Sequence, residues 1–229
     1  MAKAQTEKPR AGAKSRRTTA AGKIIVVGNL KGGCGKSTIA FNLALWLARR
    51  GDNPTLVDLD PQKTLSDLVA VRQEIDATPQ IAAPAAALAA PTTQPILVDF
   101  GAADVARMAE IIPQADLVLV PVVPSQADVW ATQRYLKLLL ERRKPEAHIA
   151  FFVNRAESAQ VSRETRETLA ALKAMAGMCE RASVLPAILG RRVAFCRSLS
   201  EGLGVFEMKG QKKAAEEFQK LAAATMALF

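Results

Sequence analysis

The run Lys31-Gly32-Gly33-Cys34-Gly35-Lys36-Ser37-Thr38 constrains this chain more than any other feature. Four apolar, β-branched residues precede it, Ile24-Ile25-Val26-Val27, and a helix-like stretch from Ser37 to Arg50, ended by Gly51, follows. Strand, glycine-rich loop and helix in that order form the context of a phosphate-binding loop. Glycines let backbone N–H groups converge on an anion without Cβ interference. The helix N-terminus adds its partial positive charge. Lys36 can reach the β- and γ-phosphate oxygens, and the Ser37 hydroxyl can ligate Mg²⁺. The loop departs from the ordinary G-x-x-x-x-G-K-S/T form at two places: no glycine stands five residues before Gly35, and a second lysine, Lys31, lies inside it.

The rest of the chain alternates short apolar runs with helical patterns. Strands are predicted over 55–57, 96–98, 117–120, 149–153 and 183–185, and helices over 64–73, 126–143, 161–175 and 212–228. Nearly all-apolar strands separated by helices predict an α/β fold, a parallel twisted sheet with helices on both faces. Pro79, Pro84, Pro91 and Pro95 forbid one continuous helix between residues 76 and 95, leaving a surface connection with one short helix near Ala85–Ala90.

Composition excludes several classes. No apolar run reaches the ~18 residues of a membrane span. The three cysteines, Cys34, Cys179 and Cys196, form no CxxC pair, and His148 is the lone histidine. Disulfide frameworks, zinc sites and iron–sulfur clusters within one chain are therefore not supported, and cytoplasm is the expected compartment. Net charge is +9, of which residues 1–23 carry +6. That segment lacks apolar periodicity and the apolar core of a signal peptide, so it reads as a disordered basic tail ahead of one domain, 24–229. A basic arm can hold polyanions such as DNA, or it can act as a solubilising leader.

KGGxGK[ST] resembles the deviant Walker A signature of the ParA/MinD ATPases. Further motifs agree in order. Asp58-Leu59-Asp60-Pro61-Gln62 resembles the family's DxDPQ, Ile96 to Gly101 a Walker B strand ending at Asp99, and Phe152-Val153-Asn154-Arg155 the strand end facing adenine. Gly202-Leu203-Gly204-Val205-Phe206-Glu207 resembles the G-x-x-VFE stretch of small ParA proteins of the ParF kind. The resemblance spans roughly residues 24–207 and implies a P-loop NTPase (deviant Walker A) fold using ATP and Mg²⁺. It implies that residues 31–38 hold the nucleotide. Lys36 and Asp60 would be catalytic, with Lys31 reaching a partner subunit's nucleotide, where a second cation neutralises charge on the transferred phosphoryl group. Ser37 and Asp99 would hold Mg²⁺, with Asp58 supporting that site from behind. Asn154 would read the adenine edge, although an Asn after a strand is also common turn chemistry.

The function so implied is a ParA-type partition ATPase, weakly active until DNA and a partner stimulate it. It would form a homodimer on ATP, coat non-specific nucleoid DNA, and respond to a cargo adaptor of the ParB/ParG or carboxysome-adaptor kind. The cargo would be plasmid or chromosome DNA; the alternative is a protein body such as carboxysomes or chemoreceptor clusters. A MinD-like membrane role ranks lower, because the closing segment holds only one basic residue, Lys220, after Glu216-Glu217. A non-hydrolysing ATP-binding module is opposed by Asp60 and Asp99. Non-specific DNA contact needs Lys or Arg against phosphates. Arg191, Arg192 and Arg197 are the first candidates, then Arg163 and Arg166, which share a helical face.

Overall fold

The computed structural model describes residues 20–88, 93–157 and 162–229. Most of the basic tail, part of the Ala/Pro-rich connection and the start of the helix expected from residue 161 lie outside the described residues. Six strands form one parallel sheet: β1 (Ile24–Val27), β2 (Thr55–Asp58), β3 (Ile96–Asp99), β4 (Leu117–Val122), β5 (His148–Ala156) and β6 (Ala182–Gly190), in the order β2-β3-β1-β4-β5-β6.

Alternation along each strand splits the core into two layers. Ile25, Val27, Leu97, Leu119 and Phe152 face one side, against α1 (Lys36–Arg49), α2 (Thr64–Glu74) and α7 (Lys212–Met226). Val26, Val98, Val118, Val120, Phe151 and Val153 face the other, against α3 (Val105–Ile111), α4 (Gln126–Arg142) and α5 (Arg163–Gly177). A short 3₁₀ turn (Ile112–Gln114) follows α3, and α6 (Val193–Ser200) follows β6. Both faces are covered, which is why the strands read as continuous apolar runs. Ser125 and Ser162 cap α4 and α5, their hydroxyls accepting the Asp128 and Thr165 N–H groups.

Several details differ from the sequence reading, among them β5 and β6, which run past the expected 149–153 and 183–185. The predicted short helix does not form over Ala85–Leu88, and its remaining residues lie outside the described residues. Ala85 instead pairs with β2, its N–H donating to Leu56 O and its carbonyl accepting from Asp58 N, which covers the sheet edge. The helices α3 and α6 were not anticipated. Both are short, of seven and eight residues, and offer too few turns for a periodic signal. The closing helix docks onto the domain, burying Phe218, Leu221, Ala222 and Thr225. Among the described residues no helix is long and apolar enough to cross a membrane.

Candidate functional site

Strand order reverses direction around β1, so the carboxyl ends of β1, β2, β3 and β5 open into one crevice, the usual ligand position in such sheets. The loop after β1 is built to sit there. The Gly28 N–H donates to Leu119 O at 3.0 Å, and a Cβ at Gly28 would lie 2.3 Å from the Tyr135 hydroxyl and 2.6 Å from Phe100. Asn29, just ahead of the lysine-glycine run, is fully buried. Its Nδ2 donates to Pro121 O (3.0 Å) and Thr132 Oγ1 (3.1 Å), tying the loop to β4 and α4. Cys34 is buried, and its thiol donates to the Lys31 carbonyl. Burial pushes that thiol up despite nearby Lys36, so Cys34 packs the loop rather than serving as a thiolate. Gly35, at φ 95°, caps α1 with no side-chain hydrogen bond. The first-turn N–H groups of α1 thus remain available to an anion.

The two lysines differ in setting. Lys36 is buried and folds back over the loop, its Nζ donating to the Lys31 carbonyl at 3.4 Å. Lys31 is exposed, and its ammonium makes no hydrogen bond or ion pair with any described residue. Gly32, Gly33, Gly35, Lys36, Ser37 and Thr38 line a cleft of about 820 Å³ whose opposite wall is Asp60, Pro61, Gln62 and Gly101. An adjoining cleft of about 330 Å³ holds Lys31 with Asp128, Arg155, Glu157 and Arg191.

The three carboxylates also part company. Asp58 is buried and fully engaged: Oδ1 accepts the Asp60 N–H, and Oδ2 accepts the Ser66 N–H (2.9 Å) and hydroxyl (2.7 Å). It fixes the Asp60 turn to the start of α2. Asp60 is half-buried at the cleft, with Oδ1 accepting the Gln62 N–H. Asp99 is fully buried, and among the described residues no donor stands in hydrogen-bond geometry to either of its oxygens. Burial pushes it up to about 7, and Asp58 and Asp60 add to this, against the pull of the Ser37 hydroxyl and the Lys36 ammonium. An orphaned buried carboxylate beside a loop serine is a donor set that fits Mg²⁺.

At the end of β5, Asn154 is buried, its Nδ2 donating to Cys34 O at 2.7 Å. Its partner in holding the loop is Arg155, to which the sequence assigned no role. Arg155 stands at φ 58° and donates from Nη1 to Gly33 O at 2.6 Å. Only its place after Asn154 could have signalled this. Asn154 also lines a cavity of about 410 Å³ with Ile39, Phe195, Cys196 and Leu199, beside the phosphate cleft.

The five arginine candidates separate. Arg191 and Arg192 line the clefts around the loop rather than a remote surface. Arg192 donates from Nε (2.8 Å) and Nη2 (2.5 Å) to Glu217, holding that carboxyl below the usual range, while Arg191 stands 3.8 Å from Glu157 on the surface. Arg197 is exposed on α6, and Arg163 and Arg166 lie in the first turn of α5, Arg163 paired with Glu167 at 2.7 Å. The buried Arg72 joins α2 to the Gly202–Glu207 stretch. Its guanidinium donates to Glu207 (2.8 and 3.1 Å), Gly202 O and Pro79 O.

Residues 25–205 match the CobQ/CobB/MinD/ParA nucleotide binding domain. The chain belongs to this family. It is 30% identical over 209 residues to the maintenance of carboxysome distribution protein A of Halothiobacillus neapolitanus, covering 86% of this chain and 93% of that one. It is 52% identical over 50 residues to the chromosome-partitioning ATPase Soj of Thermus thermophilus, 22% of this chain and 20% of Soj. Among solved structures, a chain of the MinC:MinD cell division protein complex of Aquifex aeolicus superposes with a TM-score of 0.68 at 18% identity, covering 90% of this chain and 96% of that one. This ParA/MinD-type ATPase has the parallel α/β fold of that family, whose members bind nucleotide.

Proposed function

We propose that this ParA/MinD-type protein is a positioning ATPase that dimerises around ATP and holds non-specific duplex DNA in that state. A cargo-linked adaptor then stimulates hydrolysis and releases it. The observation that carries this reading is the contrast between the two loop lysines. Lys36 is buried within its own loop, whereas Lys31 is exposed beside the cleft, its ammonium with no partner among the described residues. A cation so placed serves a second subunit's phosphates better than its own.

In this reading Lys36 and residues 32–38 hold the phosphates, and Asn154 meets the adenine from the adjoining cavity. Ser37 and Asp99 would hold Mg²⁺, which neutralises phosphate charge when bound. Asp60 orients the attacking water, and Asp58, held by Ser66, keeps Asp60 in place. Because Arg192 is committed to Glu217, the exposed Arg197 and Arg191 are the stronger DNA candidates on that side, with Arg163 and Arg166 on α5. Work on the nucleoid would place the protein in the cytoplasm. Plasmid or chromosome DNA is one cargo reading. A protein body is the second, and the alignment over 93% of the carboxysome-distribution relative favours it.

A mobility shift on arbitrary duplex DNA tests the switch. Asp60→Ala protein is expected to retard DNA with ATP, not with ADP, and to lose binding steeply as salt rises. Equal retardation with both nucleotides, or none, would sink the DNA-tracking reading.

A further inference from the structure

Three of the six large hydrophobic side chains left exposed among the described residues, Trp130, Leu140 and Met178, gather at one place. They line a groove of about 460 Å³ between α4 and α5, floored by Met175 and edged by Arg134 and Lys137. Trp130, Arg134 and Lys137 follow one another at four and three residues, so they share one face of α4. Neither cation makes an ion pair with a described residue, and no acidic side chain lines the groove. The mechanism uses none of these residues.

We infer that this groove docks an acidic amphipathic helix of a partner protein, its apolar stripe against Trp130, Leu140 and Met178 and its carboxylates against Arg134 and Lys137. Charge selects this occupant. Residues 1–23 of the chain carry +6 and would meet two cations. A second copy in a two-fold arrangement would set Arg134 and Lys137 against their own equivalents. An anionic lipid surface would suit the charges, but it takes up a protruding apolar face, whereas this one is concave. A groove between two helices with a polar rim fits a helix bearing apolar anchors at i, i+3/i+4 and i+7. The start of α4 also carries Asp128, in the cleft with Lys31, so an occupant grips the helix that reaches the nucleotide side. The inference does not depend on DNA binding or on the cargo.

The test titrates the full chain into two fluorescein-labelled synthetic helices, one with Leu anchors flanked by Glu and one with Lys in place of each Glu. The acidic helix is expected to bind at least about tenfold tighter than its basic counterpart, as charge complementarity requires. Trp130→Ser is expected to weaken it about tenfold, the typical loss of an aromatic anchor, and Trp130→Phe to restore most of that loss. Arg134→Glu with Lys137→Glu should reverse the preference. These positions are exposed, and far-UV circular dichroism verifies that each variant stays folded. Equal binding of the two helices, no binding of the acidic one, or binding indifferent to Trp130→Ser overturns the inference. So does a Trp130-dependent association with phosphatidylglycerol vesicles that the acidic helix fails to displace, or a Trp130-dependent self-association by sedimentation.

Discussion

Replacing Asp99 by asparagine removes a buried carboxylate that has no hydrogen-bond partner among the described residues. In nucleotide- and metal-free protein, burial holds Asp99 near 7 instead of 3.8. The unfolded chain ionises this group at its ordinary value. Between about pH 4 and pH 7 the folded state therefore keeps a proton that the unfolded state has lost, and stability falls as pH rises. Above pH 7 the loss is complete. The difference between 3.8 and about 7 corresponds to about 4 kcal/mol. Asparagine cannot ionise, but its unsatisfied buried amide costs about 1–3 kcal/mol. At pH 8 the variant is thus expected to be about 1–3 kcal/mol more stable than the parent, and at pH 4.5 that advantage shrinks by about 3 kcal/mol. For a chain of this size the gain at pH 8 is roughly 3–10 °C in the unfolding midpoint. Thermal unfolding in EDTA at the two pH values measures it. Adding Mg²⁺ and ATP should raise the parent's midpoint far more than the variant's. A variant less stable than the parent at pH 8, or an equal shift at both pH values, would refute the picture of Asp99 as a desolvated anion awaiting a cation.

Two further outcomes follow from packing. Glu207→Ala leaves the buried Arg72 guanidinium uncompensated and is expected to cost about 3–5 kcal/mol, read by urea denaturation; Arg72→Met with Glu207→Leu should recover most of that, and additive losses would contradict the coupling. Gly28→Ala drives a Cβ to 2.3 Å from the Tyr135 hydroxyl and is expected to cost about 1–3 kcal/mol, with weaker ATP binding by calorimetry; an unchanged midpoint would show that the floor of the loop is looser than the contacts imply.

The sheet was legible because strands buried on both faces announce themselves as apolar runs; β1 starts and stops where Ile24-Ile25-Val26-Val27 does. Its continuation was not. The β5 strand runs on through Asn154 and Arg155 to Ala156, where polar residues reach the crevice and the apolar signal ends. The glycine loop with Lys36 and Ser37 pointed to phosphate through its spacing, and Lys31 and the aspartates through their resemblance to the family's motifs. The different standing of Asp58 and Asp99 did not show, because it depends on Ser66 reaching back across eight residues to hydrogen-bond one carboxylate, while no described donor stands in hydrogen-bond geometry to the other. Arg155 escaped notice for a similar reason. Its role is a bond to Gly33, 122 residues away, that only the folded sheet brings about. Arg192 read as a surface cation until the fold set Glu217 beside it.

The proposal turns on Lys31 serving a second subunit, and the mass of the protein in solution tests that most directly. Light scattering on Asp60→Ala protein should give twice the chain mass with ATP and Mg²⁺, and the single-chain mass with ADP. Adding Lys31→Ala should return the ATP sample to the single-chain mass while ATP still binds. A chain that stays single with ATP, or a Lys31→Ala form that pairs as well as its parent, would contradict the assignment.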